Sequence, residues 1–164
     1  MKFSRHLKSL LPNSLDQILP CEEARLLWTI LKELNVSCDP EVFEVLDKDS
    51  IIEVYNADDI QVYRNQKFHE VFNYDFITLF SSKRKDLFSR NEFFDKQIDQ
   101  ALSISFSMSE SEIIDLTKIR PHAVNQKLAD QPSSLLVSIN FICPLINKLN
   151  VAEYSVLVYK VHTN

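Results

Sequence analysis

The sequence predicts an α+β domain: an antiparallel sheet with short helices on one face, preceded by an N-terminal helical segment. Three observations carry this expectation. Two β-branched and aromatic runs, at residues 51–55 and 60–64, flank a polar stretch, which is the pattern of a β-hairpin. A phenylalanine-rich block over residues 66–102 has helical but broken spacing. Two further runs, 134–145 and 153–162, close the chain as strands, the first almost wholly apolar and the second alternating.

Taken in order, Ser14 and Gln17 are spaced as a capping box for a first helix start. A stronger helix is expected over residues 20–35. Pro20 suits its first turn, Glu22 and Glu23 complement the positive end of its dipole, and Lys32 lies near the other end. Leu27, Ile30, Leu31 and Leu34 recur at helical spacing, with Ala24, Leu26 and Trp28 widening the apolar stripe. Asp39-Pro40-Glu41 begins a short helix through Val42, Phe43, Val45 and Leu46. Residues 1–48 therefore form an N-terminal helical cap, and residues 49–164 the main domain. In the phenylalanine block, short helices are expected to join at Asn73, at Ser81-Ser82 and over 89–91. Ser103 to Met108 alternates as a strand, Ser109 and Glu112 offer a capping box for a helix through Ile113, Ile114 and Leu116, and Pro121 opens another helix to about Ala129.

The chain of 164 residues contains no glycine. Phosphate loops, dinucleotide fingerprints and nucleophile elbows all need glycine for positive φ or for close backbone approach to a ligand. Turns must instead fall to Asn and Asp, the residues next most tolerant of the left-handed region. They stand at Asn56, Asp58, Asp59, Asn65, Asn73, Asn91, Asn147 and Asn150. The net charge of −5 argues against nucleic acid as a partner. No run approaches the ~18 apolar residues of a spanning helix. Lys2, Arg5 and Lys8 share the N-terminus with Phe3, Leu7 and Leu10, a weak membrane-surface pattern, and the cytoplasm is the expected compartment. Cys21, Cys38 and Cys143 are too widely spaced for a zinc site or a disulfide framework.

The order of elements and several residues resemble the PAS family. Val62-Tyr63-Arg64-Asn65 looks like the end of the opening hairpin, and Lys67-Phe68-His69-Glu70-Val71-Phe72 like the helix that follows it. Asn73-Tyr74 takes the family's Gly-Tyr position. Leu79-Phe80, Lys85-Asp86-Leu87-Phe88 and residues 93–102 are similar to the next helices. Residues 135–145, ending in Cys143-Pro144-Leu145, resemble the penultimate strand, and residues 154–161 the last. The resemblance spans about residues 50–163 and implies a sensory or docking domain without catalytic machinery. Flavin photosensors of the family carry a cysteine in their central helices; residues 66–102 have none.

Candidate functional residues follow from both readings. Tyr63, Phe72, Tyr74, Phe80, Leu87 and Phe88 fill the core or line an aromatic ligand pocket. Leu27, Trp28 and Leu31 are the interface candidates, because the resemblance implies dimerisation through a flanking helix. His122 is a remote candidate for a haem ligand, against the plainer expectation of an exposed side chain; no other cofactor or metal is expected. His69 and Glu70 are neighbours on a helix and diverge, His6 and His162 lie near the termini, and the pairs Asp58-Asp59 and Glu22-Glu23 suit a turn and a helix start. Lys83-Arg84-Lys85 is a solvated loop or an anion or partner site. The expected function is a stand-alone regulatory module in signal transduction, with no output domain after Asn164, acting through a protein partner or a second copy. The alternatives are a small-molecule sensor and, last, an enzyme.

Overall fold

The computed structural model describes residues 19–129, 131 and 133–162. The expected capping box at Ser14 and Gln17, and the basic stretch with Lys2, Arg5, His6 and Lys8, lie outside the described residues. Helix α1 (Glu22–Glu33) leads through β1 (Val36–Ser37) and α2 (Glu41–Val45) to the hairpin β2 (Ile51–Asn56) and β3 (Gln61–Arg64). Short helices α3 (Gln66–Val71), α4 (Phe76–Ser81) and α5 (Arg84–Leu87) precede β4 (Phe88–Ser89) and the long α6 (Glu92–Ser107). Strands β5 (Ile114–Asp115), β6 (His122–Gln126), β7 (Ser134–Asn147) and β8 (Ala152–His162) complete the chain. One antiparallel sheet runs β3-β2-β8-β7-β6-β4, with β1 and β5 added along β7. Hairpin, short helices and closing antiparallel strands make this a PAS-like α+β fold. No helix among the described residues is long and apolar enough to cross a membrane.

Asparagine and aspartate do take the turns that glycine would. Asn35, Asp59 and Asn150 have φ of 54°, 63° and 58°, and short polar side chains lower the steric cost of that region. At the hairpin, Asn56 Oδ1 accepts from the amides of Asp58 and Ile60, each at 3.0 Å. At the β7–β8 turn, Asn147 Oδ1 accepts from the amides of Leu149 at 2.8 Å and Val151 at 3.0 Å. Asn73 is not among the positive-φ residues. Its amide instead donates to Gln126 Oε1 at 2.9 Å, which ties the end of α3 to β6.

The helical block breaks at the expected joints. Asp75 caps α4 by accepting from the Thr78 amide at 2.9 Å, and Asn91 caps α6 through the Phe93 amide at 3.0 Å. Residues 103–133 differ from expectation. Residues 103–107 extend α6 instead of forming a strand, because Phe94, Ile98, Ala101, Leu102 and Ser105 face inward at helical spacing. Ser109 to Leu116 is not a helix; Ile114 and Asp115 pair with Ile142 and Phe141 of β7. The helix expected after Pro121 is strand β6, which alternates buried His122, Val124 and Gln126 with exposed Ala123 and Asn125.

Two apolar cores result, one on each face of the sheet. Helices α3–α6 cover one face around Phe68, Phe72, Leu79, Leu87, Phe88 and Ile98. Helices α1 and α2 cover the other around Ala24, Leu27, Leu31, Val42 and Phe43, packed with Ile52, Val54, Val156 and Val158. Strand β2 is consequently buried along Ile51, Ile52, Glu53, Val54 and Tyr55, whichever way each side chain points. The N-terminal section thus shares a core with the sheet.

Candidate functional site

The interior beneath α3–α6 holds a polar centre built from the middle of the sheet. Glu53 and Tyr55 are two residues apart on β2 and share a face, while Tyr159 on β8 stands opposite Ile51 and diagonal to Glu53. The hydroxyl of Tyr55 donates to Glu53 Oε2 and that of Tyr159 to Oε1. Glu53 is only 1% exposed. Burial pushes its carboxyl up, opposed by the hydrogen bonds from Tyr159 and Tyr55 and by the charges of Arg90 and Arg84. Burial and the Glu53 charge hold both phenols well above their ordinary values.

Two arginines approach this centre. Arg84, 1% exposed, donates from Nε to Asp59 at 3.1 Å and from Nη2 to Asp99 at 2.5 Å. It joins the hairpin turn to α6 and borders a groove of about 520 Å³ lined also by Asn56, Asp58, Lys83, Lys85 and Phe106. The Lys83-Arg84-Lys85 cluster is therefore not a solvated loop at its centre. Arg90 has its guanidinium carbon 5.5 Å from the Phe88 ring centre and Nη1 3.7 Å from Asp95, while Nε and Nη1 have no hydrogen-bond partner among the described residues. Burial pulls Arg90 down, and the charge of Arg84 adds to this.

The pocket candidates separate into two groups. Phe72, Leu87 and Phe88 belong to the core with Tyr74 packed against it. The Phe88 ring lies 5.2 Å from that of Phe72 and 5.6 Å from that of Tyr74, both edge-on, and the Tyr74 hydroxyl donates to the Leu87 carbonyl. Leu87 and the adjoining Phe68 have no exposed surface, so no water-sized space adjoins them. Tyr63 instead packs against the other core, with its phenol pushed up to about 12 by burial and the Glu23 charge. Phe80 lies on the surface. Neither lines the same space as the other four.

The interface candidates also need correction. Leu27 and Leu31 are 0% and 1% exposed within the chain's own fold, because α1 lies on the sheet and buries its apolar stripe there. They are not available to a second protomer. Trp28 is half-buried, edge-on to Phe43 at 5.8 Å. His122 is likewise not exposed: its ring stacks on Phe94 with centres 4.2 Å apart, and Nε2 is enclosed without a partner among the described residues. A haem ligand must present that nitrogen to an open cleft, so the residues here do not fit haem.

The exposed apolar surface concentrates where no candidate except Phe80 was expected. Phe76, Ile77 and Phe80 of α4 are 66%, 81% and 57% exposed. The Arg64 guanidinium lies over this helix, 4.6 Å from the Phe80 ring centre and 5.9 Å from that of Phe76. The signal in the sequence was Phe76-Ile77 together with Phe80, one turn apart, on a helix only long enough to bury Leu79.

No protein-family model matches the chain, and no curated protein matches it. Solved structures similar to it include a sensory box sensor histidine kinase from Vibrio cholerae, at TM-score 0.44 and 13% identity over 76% of this chain and 89% of that one. A variant of Vivid is similar at TM-score 0.43 and 11% identity, over 72% of this chain and 84% of the other. An RNA-binding light-oxygen-voltage receptor is similar at TM-score 0.46 and 14% identity, over 88% of this chain but 37% of that one.

Proposed function

We propose that the chain is a regulatory module of signal transduction, without catalysis of its own, that acts by binding a protein partner. The observation that carries this reading is the outward face of α4. Large apolar side chains scattered singly on a surface need no explanation, but three on one helix of six residues do. Aromatic and arginine side chains together are typical of the energetic centre of an interface.

The reading is tested by affinity capture with the wild-type chain and with a Phe76→Ser, Ile77→Ser, Phe80→Ser variant, using Leu149→Ser as a surface control. The expected result is a partner retained by wild type and control and lost with the α4 variant. The same set of proteins bound by all three would sink the idea. Sedimentation at high micromolar concentration addresses a second copy as the partner: a dimer that the α4 variant dissociates makes the interaction homotypic.

A second reading, a small-molecule sensor, has its own support. Among the described residues, Arg90 Nε and Nη1 and Arg84 Nη1 are buried donors without acceptors, and buried polar groups are ordinarily satisfied by protein, water or a bound group. Native mass spectrometry of the purified chain tests this. A retained adduct that Arg90→Met removes supports it, and an unadducted mass with no added absorbance ends it.

A further inference from the structure

Among the described residues, the α4 face holds a guanidinium without an ion pair, that of Arg64, and that charge specifies the partner. The rings of Phe76 and Phe80 flank the guanidinium of Arg64, which belongs to the edge strand β3. The other charged groups near this face are already engaged. Lys67 and Glu70 pair with each other at 3.1 Å, and both Asp75 carboxylate oxygens accept from Thr78, at 2.9 and 2.7 Å. His69 lies 5.4 Å from the Phe76 ring, and burial with the Arg64 charge holds it below its ordinary value, which favours the neutral form.

Arg64 itself donates from Nη1 to the Gln61 side chain at 2.5 Å and makes no ion pair among the described residues. The acid it feels most strongly, Glu53, is enclosed in the core with both oxygens taken by tyrosines. A partner seated on the face would cover Arg64 and strip its water. Covering an unpaired guanidinium is costly, whereas giving it a carboxylate converts it into a charge-assisted, shielded contact.

We infer that the α4 face receives an apolar protein segment carrying an acidic side chain at its centre, and that Arg64 selects for that acid. The inference rests on the interaction reading above and names the partner of that surface. The apolar part supplies contact with the three exposed side chains. The carboxylate meets Arg64 between the Phe76 and Phe80 rings, and a basic residue at the same place would meet a like charge in a desolvated setting.

Three synthetic amphipathic helical peptides test it, identical except for one central residue on the apolar face: Glu, Gln or Lys. Each is titrated into the full chain while the backbone amide resonances of α4 and β3 are followed. The Glu peptide is expected to bind about tenfold or more tightly than the Lys peptide, with shifts confined to α4 and β3. Arg64→Gln should bring the two peptides within about twofold, and Arg64→Lys should restore part of the preference. Equal affinity for all three peptides, with shifts at α4, would overturn the selection for acid and leave the docking surface intact. No shift at α4 with any peptide would overturn both. Binding that survives Phe76→Ser with Phe80→Ser would place the contact elsewhere and overturn both as well.

Discussion

Glu53 sits where a sheet normally places an aliphatic side chain, and its setting makes its proton the most informative one in the molecule. Its carboxyl is raised in the folded chain above the ordinary 4.5, so the native state holds that proton more firmly than the unfolded chain does. A group of this sign contributes stability that is full below about pH 4.5 and is lost as pH rises through the folded value. Urea unfolding of wild type and Glu53→Gln between pH 4 and 8 should therefore show the wild type losing ground to the variant as pH rises. A flat difference would show that the Glu53 proton is held no more firmly in the folded chain than in the unfolded one. Tyr159→Phe removes one of the two hydroxyl donors to the carboxylate and should cost about 1–3 kcal/mol in the same assay. Glu53 was visible in the sequence as the one acid inside the apolar run Ile51 to Tyr55. What was not visible was that both faces of β2 are covered, which leaves that acid no exit to water.

The elements were legible where local chemistry and pairing agree. The hairpin, the helix joints near Asn73, at Ser81-Ser82 and over 89–91, and the last two strands form where the residues indicate, because turns and helix ends are decided by near neighbours. Residues 109–129 misled because their cues were local and their structure is not. Ser109-to-Glu112 spacing and Pro121 both signal helices, yet each segment lies beside β7 and takes its hydrogen bonds there. The alternation His122, Val124, Gln126 was the period-two signal that outweighed the proline. At the β7–β8 turn, Asn150 holds φ of 58°. Asn150→Ala should destabilise by about 1 kcal/mol while Asn150→Gly stays close to wild type, as thermal melts would show. Arg84 ties the hairpin turn to α6 through two carboxylates, and Arg84→Ala would leave Asp59 without its ion pair and Asp99 with Lys85 alone. A loss of about 3 kcal/mol is expected, toward the lower end for a broken buried pair because both acids keep some solvent. Stability unchanged by this substitution would show that the link does not stabilise the fold.

At the scale of the whole molecule, one sheet separates two cores, and that arrangement decides which surfaces remain for a partner. The apolar stripe of α1 suggested a dimer interface in the sequence, but an amphipathic helix advertises only that it has a face to bury, not against what. Here the far face of the sheet takes Leu27 and Leu31. The same economy leaves α4 with a single inward side chain, Leu79, and three apolar ones outward. The candidate site was thus legible only at Phe80, since exposure depends on which helices meet the sheet and which stand at its edge. That this outward face holds a protein partner can be checked with a photo-crosslinking amino acid placed at Ile77 and, as a control, at Leu149. Irradiation in the native cell should give one discrete crosslinked species from position 77, absent from position 149 and lost when Phe76 and Phe80 are changed to Ser. No crosslink from position 77, or the same products from both positions, would contradict it.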